Sequence, residues 1–269
     1  MAALRAQLEW GADEALELAP RVRLDQPRPE PARPAAVVAA PAAMRPAAPV
    51  MLAPGRRAME LAAGAGDLAQ LRAALAGFDG CALAATATNL VFADGDPAAG
   101  LVLIGEGPGA EEDQQGRPFV GASGRLLDKM LASIGIDRTK CLITNVIFWR
   151  PPGNRTPTDS EVALCLPFML RLLALTRPRH VVTLGKLATA ALSGQNDGIR
   201  RLRGRWLPVA APGAGELGVA EGLTALAMLH PAYLLRTPSA RREAWSDMLT
   251  LREALEAGAT KPDKEAPDG

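Results

Sequence analysis

A short apolar run that stops abruptly at a glycine-rich turn constrains the fold of this chain most strongly. Residues 101–104 read Leu-Val-Leu-Ile, and residues 105–109 read Gly-Glu-Gly-Pro-Gly. A continuous apolar run of this kind is typical of a strand buried on both faces in a parallel sheet. Gly and Pro then impose a tight turn at the carboxyl end of the strand, which is where open α/β sheets bind ligands. The stretch therefore predicts a site whose rim carries the carboxylate of Glu106.

Three further apolar runs indicate how the sheet continues. Residues 141–146, 180–185 and 226–231 each predict a buried strand, and helical patterns lie between them. Because strands alternate with helices along the chain, we expect an α/β fold with three layers. A four-stranded parallel sheet is predicted to lie between helices on both faces.

Local signals predict the connecting elements. A short strand is expected at residues 90–92, and Asp67 is a predicted helix N-cap. Thr158 or Asp159 is the predicted N-cap of a long helix, and Glu161 completes a capping box if Thr158 is the cap. Residues 195–206 are polar and rich in Arg, and we expect them to connect two elements.

Composition divides the 269 residues into four segments. Residues 1–19 are predicted to form an amphipathic helix, and residues 20–57, rich in Pro and Ala, a disordered linker. The folded domain is expected to span residues 58–257, and residues 258–269 are expected to form a charged tail. The amphipathic helix either docks on the body or a partner, or is a loosely held terminus, and the sequence leaves both interpretations open.

Net charge and cysteine content limit the possible binding partners and the cellular compartment. The net charge of +1 does not mark a strongly basic nucleic-acid-binding protein. The cysteines, Cys81, Cys141 and Cys165, are odd in number and widely spaced, so they favour a reducing compartment over a disulfide framework. The sequence shows neither a signal peptide nor a membrane-spanning run. We therefore expect a cytoplasmic protein without membrane association.

Polar residues at the ends of the predicted strands suggest a chemistry. Glu106, Asn145 and His230 end separate strands and should converge at one edge of the sheet. The Asn145 amide carries a donor and an acceptor that match the O4 and N3–H edge of uracil and mismatch cytosine. Phe119 offers a face for stacking a base, and His230 a donor to negative charge developing on uracil O2. Together with the carboxylates of Glu106 and Glu112, this set suits cleavage of an N-glycosidic bond.

Each of these residues alone also fits a structural role. Asn145 fits a turn, Phe119 fits the core, and His230 fits a hydrogen-bonding position before Pro231. The Gly-rich segment 121–124, with Ser123, either binds a phosphate at a helix N-terminus or only starts that helix. It is the conjunction of these features that points to a nucleic-acid glycosylase.

Five separated motifs resemble the family-4 uracil-DNA glycosylases of bacteria and archaea, in unbroken order from about Gly80 to Leu251. The resemblance implies an enzyme that flips deoxyuridine out of DNA and hydrolyses its glycosidic bond, leaving an abasic site. It also implies the three-layer fold described above. The motifs are Gly105–Asp113, Gly116–Gly121, Thr144–Val146, Arg150–Arg155 and His230–Arg236.

The resemblance implies a role for each residue that matches a motif. Glu106 and Gly107 would lie against the uracil and the attacking water. Phe119 would stack on the base, Asn145 would read its edge, and His230 would stabilise the charge on O2. Relatives with an Asp in the first motif use it to activate water, and Gly107 stands at that position here. Glu106 is therefore our first choice for the general base.

The same resemblance implies the groups that contact DNA. Glu112 belongs to the acidic pair of the first motif and is implicated in positioning water or a loop. Leu234 or Leu235 would wedge into the gap left by the flipped nucleotide, and Arg236 would hold a phosphate. Arg155, like Ser123, is a candidate contact to the DNA backbone.

The chain departs from the family at the iron–sulfur cluster. Family-4 enzymes usually bind a four-iron, four-sulfur cluster through four cysteines. Cys81 and Cys165 match two of these positions, whereas Phe78 and Trp149 stand at the other two. Because neither aromatic residue binds iron, we predict no cluster and no other metal or cofactor, with the aromatic rings packed near the two cysteines.

The predicted reaction is monofunctional, because no lysine lies within the motifs to form a Schiff base. The expected protein is a monomer that acts on uracil-containing DNA, with the N-terminal arm as a candidate contact for a replication or repair partner. One alternative is a non-catalytic module of the same fold that binds damaged or single-stranded DNA. Another keeps the enzyme and changes the base to hypoxanthine or xanthine.

Overall fold

The computed structural model describes residues 53–259 of the chain. The helix predicted at residues 1–19, the linker up to residue 52 and the tail beyond residue 259 lie outside the described residues. The first described helix begins at Pro54, ahead of the domain start predicted at residue 58, and its residues Ala58 and Ala62 are completely buried.

The middle layer is a mixed sheet of six strands. They are β1 (Ala93–Gly95), β2 (Leu101–Gly105), β3 (Leu142–Asn145), β4 (His180–Leu184), β5 (Trp206–Pro208) and β6 (Thr224–Met228). Their order across the sheet is β1-β3-β2-β4-β6-β5. The four central strands are parallel to one another, whereas β1 and β5 pair antiparallel at the two edges. The α/β class is confirmed, and the prediction of four strands is corrected to six.

The two edge strands escaped prediction because each has only three residues, which is too few to show a pattern. The strand predicted at residues 90–92 is wrong: the edge strand begins one residue later, at Ala93, and pairs with Thr144. The polar connection predicted at residues 195–206 contains a helical turn that the sequence did not reveal, and it leads into β5 at Trp206. Pro208 ends β5, which is tolerated since this strand lies at the sheet edge.

Ten α-helices and three 3₁₀ turns complete the described residues. The helices are α1 (Pro54–Gly64), α2 (Leu68–Ala76), α3 (Leu83–Thr86), α4 (Ala110–Gln115), α5 (Ala122–Ala132), α6 (Asp159–Thr176), α7 (Lys186–Ser193), α8 (Ile199–Leu202), α9 (Pro231–Arg236) and α10 (Arg241–Ala259). The 3₁₀ turns are Arg138–Lys140, Pro152–Asn154 and Pro238–Ala240. None of these helices is long and apolar enough to cross a membrane.

Both predicted helix starts are confirmed by their hydrogen bonds. The Asp67 carboxylate accepts the Gln70 N–H at 2.7 Å at the start of α2. At the start of α6, Thr158 N–H donates to Glu161 Oε2 at 2.8 Å, and Glu161 N–H donates to Thr158 Oγ1 at 3.3 Å. These bonds satisfy N–H groups that have no partner inside the helix.

The central strand β2 is buried on both faces, which explains its continuous apolar sequence. Val102 and Ile104 belong to a core cluster with residues of α1, α2, α6 and α7. Leu101 and Leu103 belong to a second cluster with residues of α5 and α10. Because successive side chains of a strand point to opposite faces, four apolar residues serve two helical layers. The carboxyl ends of the parallel strands are thereby held at one edge of the sheet.

Candidate active site

A cavity of about 520 Å³ lies at the carboxyl ends of the parallel strands. Glu106 reaches it from the turn after β2, Asn145 from the last residue of β3, and His230 from the residue before α9. Phe119 reaches it from the loop between α4 and α5. The structure therefore brings together the four residues that the sequence predicted to surround a base, although they are spread over more than a hundred positions.

Asn145 and Phe119 meet over the α-carbon of Gly105. A Cβ at Gly105 would lie 2.5 Å from Phe119 Cζ and would overlap Oδ1 of Asn145. Only glycine at the end of β2 therefore allows the ring and the amide to approach each other. Asn145 is 1% exposed, and its Oδ1 has no hydrogen-bond partner within residues 53–259. A buried acceptor of this kind costs about 1–3 kcal/mol when unpaired, so it marks a place where a ligand can donate a hydrogen bond.

His230 carries a defined tautomer. Its Nδ1 accepts the N–H of Ala232 at 3.1 Å, so in the neutral ring the proton resides on Nε2. Burial, assisted by the cation of Arg236, lowers the pKa of His230 to about 4. The imidazole is thus neutral at neutral pH and offers an uncharged N–H donor. Gly185 makes room for it, since a Cβ there would lie 3.0 Å from His230 Cβ.

Glu106 is partly buried in the cavity wall, and this burial raises the pKa of its carboxyl group. Its backbone carbonyl accepts the N–H of Ile147 at 3.0 Å, which ties the turn after β2 to the loop after β3. The side chain itself has no hydrogen-bond partner among the described residues. Gly107 lies next to it in the cavity wall, where it presents no side chain.

Glu112 makes contacts that differ from those expected of a catalytic carboxylate. Its Oε2 accepts the N–H of Gly109 at 3.1 Å, and its Oε1 accepts the N–H of Gly121 at 2.8 Å. Both oxygens are therefore engaged by backbone donors, and the side chain is only 9% exposed. The arrangement favours a positioning role, in which Glu112 joins the turn after β2 to the start of α5.

The candidate DNA contacts occupy different environments. Leu234 is 1% exposed and packs in a small cluster with Leu229, so it is the buried member of the two candidate wedges. Leu235 is 40% exposed and remains available for that role. Arg236 and Ser123 line the cavity.

Arg155 also lines the cavity, but its guanidinium is committed to Glu161. Nη1 and Nη2 donate to the two carboxylate oxygens at 2.8 and 2.6 Å. This bidentate pair is the main reason that the pKa of Glu161 falls to about 2. Arg155 therefore fastens the loop after β3 to the start of α6.

Tyr233 and Asn154 are among the cavity residues that were not singled out from the sequence. Tyr233, which lines the cavity from α9, is the only tyrosine of a chain with 4% aromatic residues, and this scarcity was a usable signal. Asn154 lines it from a left-handed backbone position with φ of 56°, and its Oδ1 accepts Arg150 Nε–H at 2.7 Å. A pattern of residue types does not reveal such a local contact.

The two remaining cluster cysteines lie side by side in the core. A hydrogen bond between their thiols lowers the pKa of Cys81 to about 7 and, with burial, raises the pKa of Cys165. Phe78 and Trp149 are buried in the same apolar cluster as both thiols. Within residues 53–259, no group of three or more His, Cys, Asp or Glu side chains is arranged to hold a metal ion. Two thiols and two aromatic rings do not fit a four-iron cluster, which requires four ligands.

Comparison with known proteins places this sequence in a family. The family model of the uracil DNA glycosylase superfamily matches residues 92–249. A type-4 uracil-DNA glycosylase from Pyrobaculum aerophilum is 36% identical over 186 residues, which cover 68% of this chain and 91% of that protein. Another from Archaeoglobus fulgidus is 40% identical over 177 residues, which cover 64% of this chain and 85% of that protein. A type-5 uracil-DNA glycosylase from Pyrobaculum aerophilum is 32% identical over 180 residues, or 61% of this chain and 75% of that protein. The chain therefore belongs to the uracil-DNA glycosylase superfamily and, within it, to the type-4 family.

Proposed function

We propose that this protein is a monofunctional uracil-DNA glycosylase, which draws deoxyuridine out of DNA into the cavity and hydrolyses its N-glycosidic bond. The relatives that match most of the chain are named for this activity. The observation that carries the proposal is the buried Asn145 Oδ1, which lacks a partner among the described residues and lies beside the Phe119 ring.

Asn145 supplies the choice of base in this proposal. Its Oδ1 accepts the N3–H of uracil, and its Nδ2 donates to O4. Cytosine presents an acceptor at N3 and a donor at N4. The acceptor Oδ1 would therefore face another acceptor, and the donor Nδ2 would face another donor. Each unpaired buried group costs about 1–3 kcal/mol, and two of them correspond to roughly one to four orders of magnitude in discrimination.

His230 and Glu106 supply the chemistry. As the bond between C1′ and N1 breaks, its electron pair moves to the uracil ring, and negative charge grows on O2. The neutral imidazole donates its Nε2–H to that oxygen, which stabilises the departing anion. Water adds to the oxocarbenium-like C1′ and gives up a proton. Glu106 is the proposed general base, since burial makes its carboxylate more basic and Glu112 is engaged by backbone donors.

DNA would reach the cavity along its exposed rim. Leu235 is the proposed wedge, because it is the exposed member of the leucine pair. Arg236 and Ser123 line the cavity and are the proposed phosphate contacts. Arg155 stays a candidate through the exposed part of its side chain, because its guanidinium already pairs with Glu161. We further propose that the protein acts as a monomer in the cytoplasm, where three free thiols remain reduced. The segment before residue 53 is proposed as a contact for a replication or repair partner.

We also propose that the protein functions without an iron–sulfur cluster. The support is chemical: Phe78 and Trp149 stand at two ligand positions and are buried with the remaining thiols. Iron and acid-labile sulfide analysis of the purified protein, with its visible spectrum, tests this. The expectation is a colourless protein without iron, whereas a brown protein with about four iron atoms per chain would refute it.

An assay that separates binding from cleavage tests the activity. Labelled oligonucleotides with one uracil, hypoxanthine or xanthine are incubated with the protein and with His230→Ala, then treated with alkali. The expected result is strand scission at uracil by the wild type and a loss of more than about a hundredfold in the variant. A mobility shift without scission by the wild type would instead favour a DNA-binding module, and scission only at a purine would change the substrate.

A further inference from the structure

Phe119, the residue proposed to stack on the base, has a backbone conformation that phenylalanine rarely adopts. Its φ is 54°, in the left-handed region, which costs a non-glycine residue about 1–3 kcal/mol. Its carbonyl also approaches Gly124 so closely that a Cβ at Gly124 would overlap it. Such a conformation persists only where surrounding groups hold it in place. The groups that hold this peptide therefore determine where the ring lies.

Arg138 is the side chain that holds it. This residue opens the 3₁₀ turn before β3, and its side chain is 22% exposed. The guanidinium donates from Nη1 to the carbonyl of Pro118 at 3.1 Å and from Nη2 to the carbonyl of Phe119. Two consecutive carbonyls of the loop are thus bound by one rigid planar group.

The guanidinium is itself fixed by two carboxylates. Nη1 donates to Asp94 Oδ2 at 2.7 Å, and Nε donates to Asp128 Oδ1 at 2.9 Å. Asp94 belongs to the edge strand β1, and Asp128 belongs to α5. Arg138 therefore joins the loop to the sheet and to a helix, and its fork of donors matches this task in a way that lysine would not.

We propose that Arg138 is a positioning residue for uracil excision, which acts by fixing the Pro118–Phe119 backbone and through it the stacking ring. This inference rests on the proposed function of the cavity. Arg138 is not among the residues that line the cavity, so it does not contact the base. A displacement of about 1 Å in a group that orients a substrate can reduce a rate about a hundredfold, which makes such a restraint consequential.

Arg117 provides a matched control. It donates to both oxygens of the same Asp94, from Nε at 3.2 Å and from Nη2 at 3.1 Å. It donates no hydrogen bond to the carbonyl of Pro118 or Phe119, both of which accept from Arg138. Its side chain is 56% exposed. Removing Arg117 therefore removes an ion pair of Asp94 while the two carbonyl contacts remain.

A double-mutant cycle between Arg138 and Phe119 tests the proposal. Single-turnover excision rates at saturating protein are compared for the wild type, Arg138→Ala, Phe119→Ala, the double variant and Arg117→Ala. Arg138→Ala is expected to slow excision about 10- to 100-fold, and Arg117→Ala by no more than about threefold. In the Phe119→Ala background, Arg138→Ala should change the rate by less than about threefold, because the ring it positions is gone.

Two further measurements distinguish positioning from a general effect on folding or DNA binding. Thermal unfolding confirms that each variant is folded at the assay temperature, and Arg138→Lys replaces Arg138→Ala in the cycle if the alanine variant is not folded. Affinity for uracil-free DNA should change less than about twofold in the Arg138 variant. An unchanged rate, an equal loss in both backgrounds, or a matching loss of affinity for uracil-free DNA would each overturn the inference. A wild-type protein that excises no uracil would refute the proposed function itself.

Discussion

The imidazole of His230 stacks on the ring of Phe119, with centroids 5.6 Å apart and planes inclined by 29°. Aromatic rings in contact have centroids within about 7 Å, so no base fits between these two. The uracil is therefore expected to stack on the part of the Phe119 ring that the imidazole leaves uncovered, with O2 toward the imidazole and its other edge toward Asn145. This contact joins segments that are far apart in the sequence.

Gly105→Ala should damage the site without removing a functional group. The added Cβ would lie 2.5 Å from Phe119 Cζ and would overlap the Asn145 amide, so one of the two must move. Overpacking of this kind costs about 1–3 kcal/mol, and we expect excision to fall by more than about tenfold. Gly215→Ala is the control, since a Cβ there meets nothing within 4 Å. Equal single-turnover rates for the two variants would contradict the close approach at Gly105.

Stability should depend on pH through His230. Its pKa is about 4 in the folded protein, against an ordinary value of 6.5. Between these values the unfolded chain binds a proton that the folded protein does not, so the free energy of unfolding rises with pH across this window. This difference in pKa corresponds to about 3 kcal/mol in the free energy of unfolding. The protein has this stability above pH 6.5 and loses it as the pH falls toward 4.

Denaturant unfolding of the wild type and His230→Gln at pH 4.5 and 7 measures this contribution. The wild type should lose more stability on acidification than the variant does. Asp247, whose pKa burial raises to about 6, acts in the opposite direction but is present in both proteins and cancels in the comparison. The same pH dependence in both proteins would show that His230 titrates normally.

Glu112→Gln should destabilise the fold as well as the site. Each carboxylate oxygen accepts a backbone N–H, and the glutamine would turn one acceptor into a donor that faces an N–H of Gly109 or Gly121. The expected loss is about 1–3 kcal/mol in the free energy of unfolding. Glu111→Gln is the matched control, because Glu111 forms an exposed ion pair with Arg125. If the two variants unfold at the same temperature, Glu112 does not position the loops.

Alanine substitutions of the two leucines of α9, Leu234 and Leu235, should affect protein stability and DNA insertion separately. Leu234→Ala removes a buried side chain and is expected to cost about 2–5 kcal/mol in unfolding free energy. Leu235→Ala removes an exposed side chain, so stability should change by less than about 0.5 kcal/mol. Leu235→Ala should nevertheless slow excision from duplex DNA more than it slows excision from single-stranded DNA, where no gap needs filling. Equal losses on both substrates would argue against Leu235 as the wedge.

The position of the site was predictable because it follows from strand direction. Parallel strands bring their carboxyl ends to one edge, so Glu106, Asn145 and His230 were expected there and line one cavity. Contacts of single atoms were not predictable. Leu234 and Leu235 are identical in type, and only the packing of α9 decides which one is buried. Glu112 could be placed near the site, but whether its oxygens meet water or backbone depends on the path of the loops.

The edge strands and the Arg138 contacts also could not be predicted from the sequence. Three-residue strands carry too short a pattern to detect, and their pairing is set by neighbouring strands. Arg138 binds the backbone carbonyls of Pro118 and Phe119, about twenty positions away in the chain. Every residue has a backbone carbonyl, so the residue types do not reveal this contact. Phe78 and Trp149, by contrast, were informative in the sequence, because their side chains lack any group that binds iron.

Release of free uracil from an oligonucleotide containing one deoxyuridine tests the central claim most directly, with the wild type and Asn145→Ala compared in single-turnover experiments and both shown to be folded. We predict that the wild type releases uracil and leaves an alkali-labile site, and that Asn145→Ala is slower by at least about a hundredfold. Failure of the wild type to release uracil, or equal rates for the two proteins, would contradict the account.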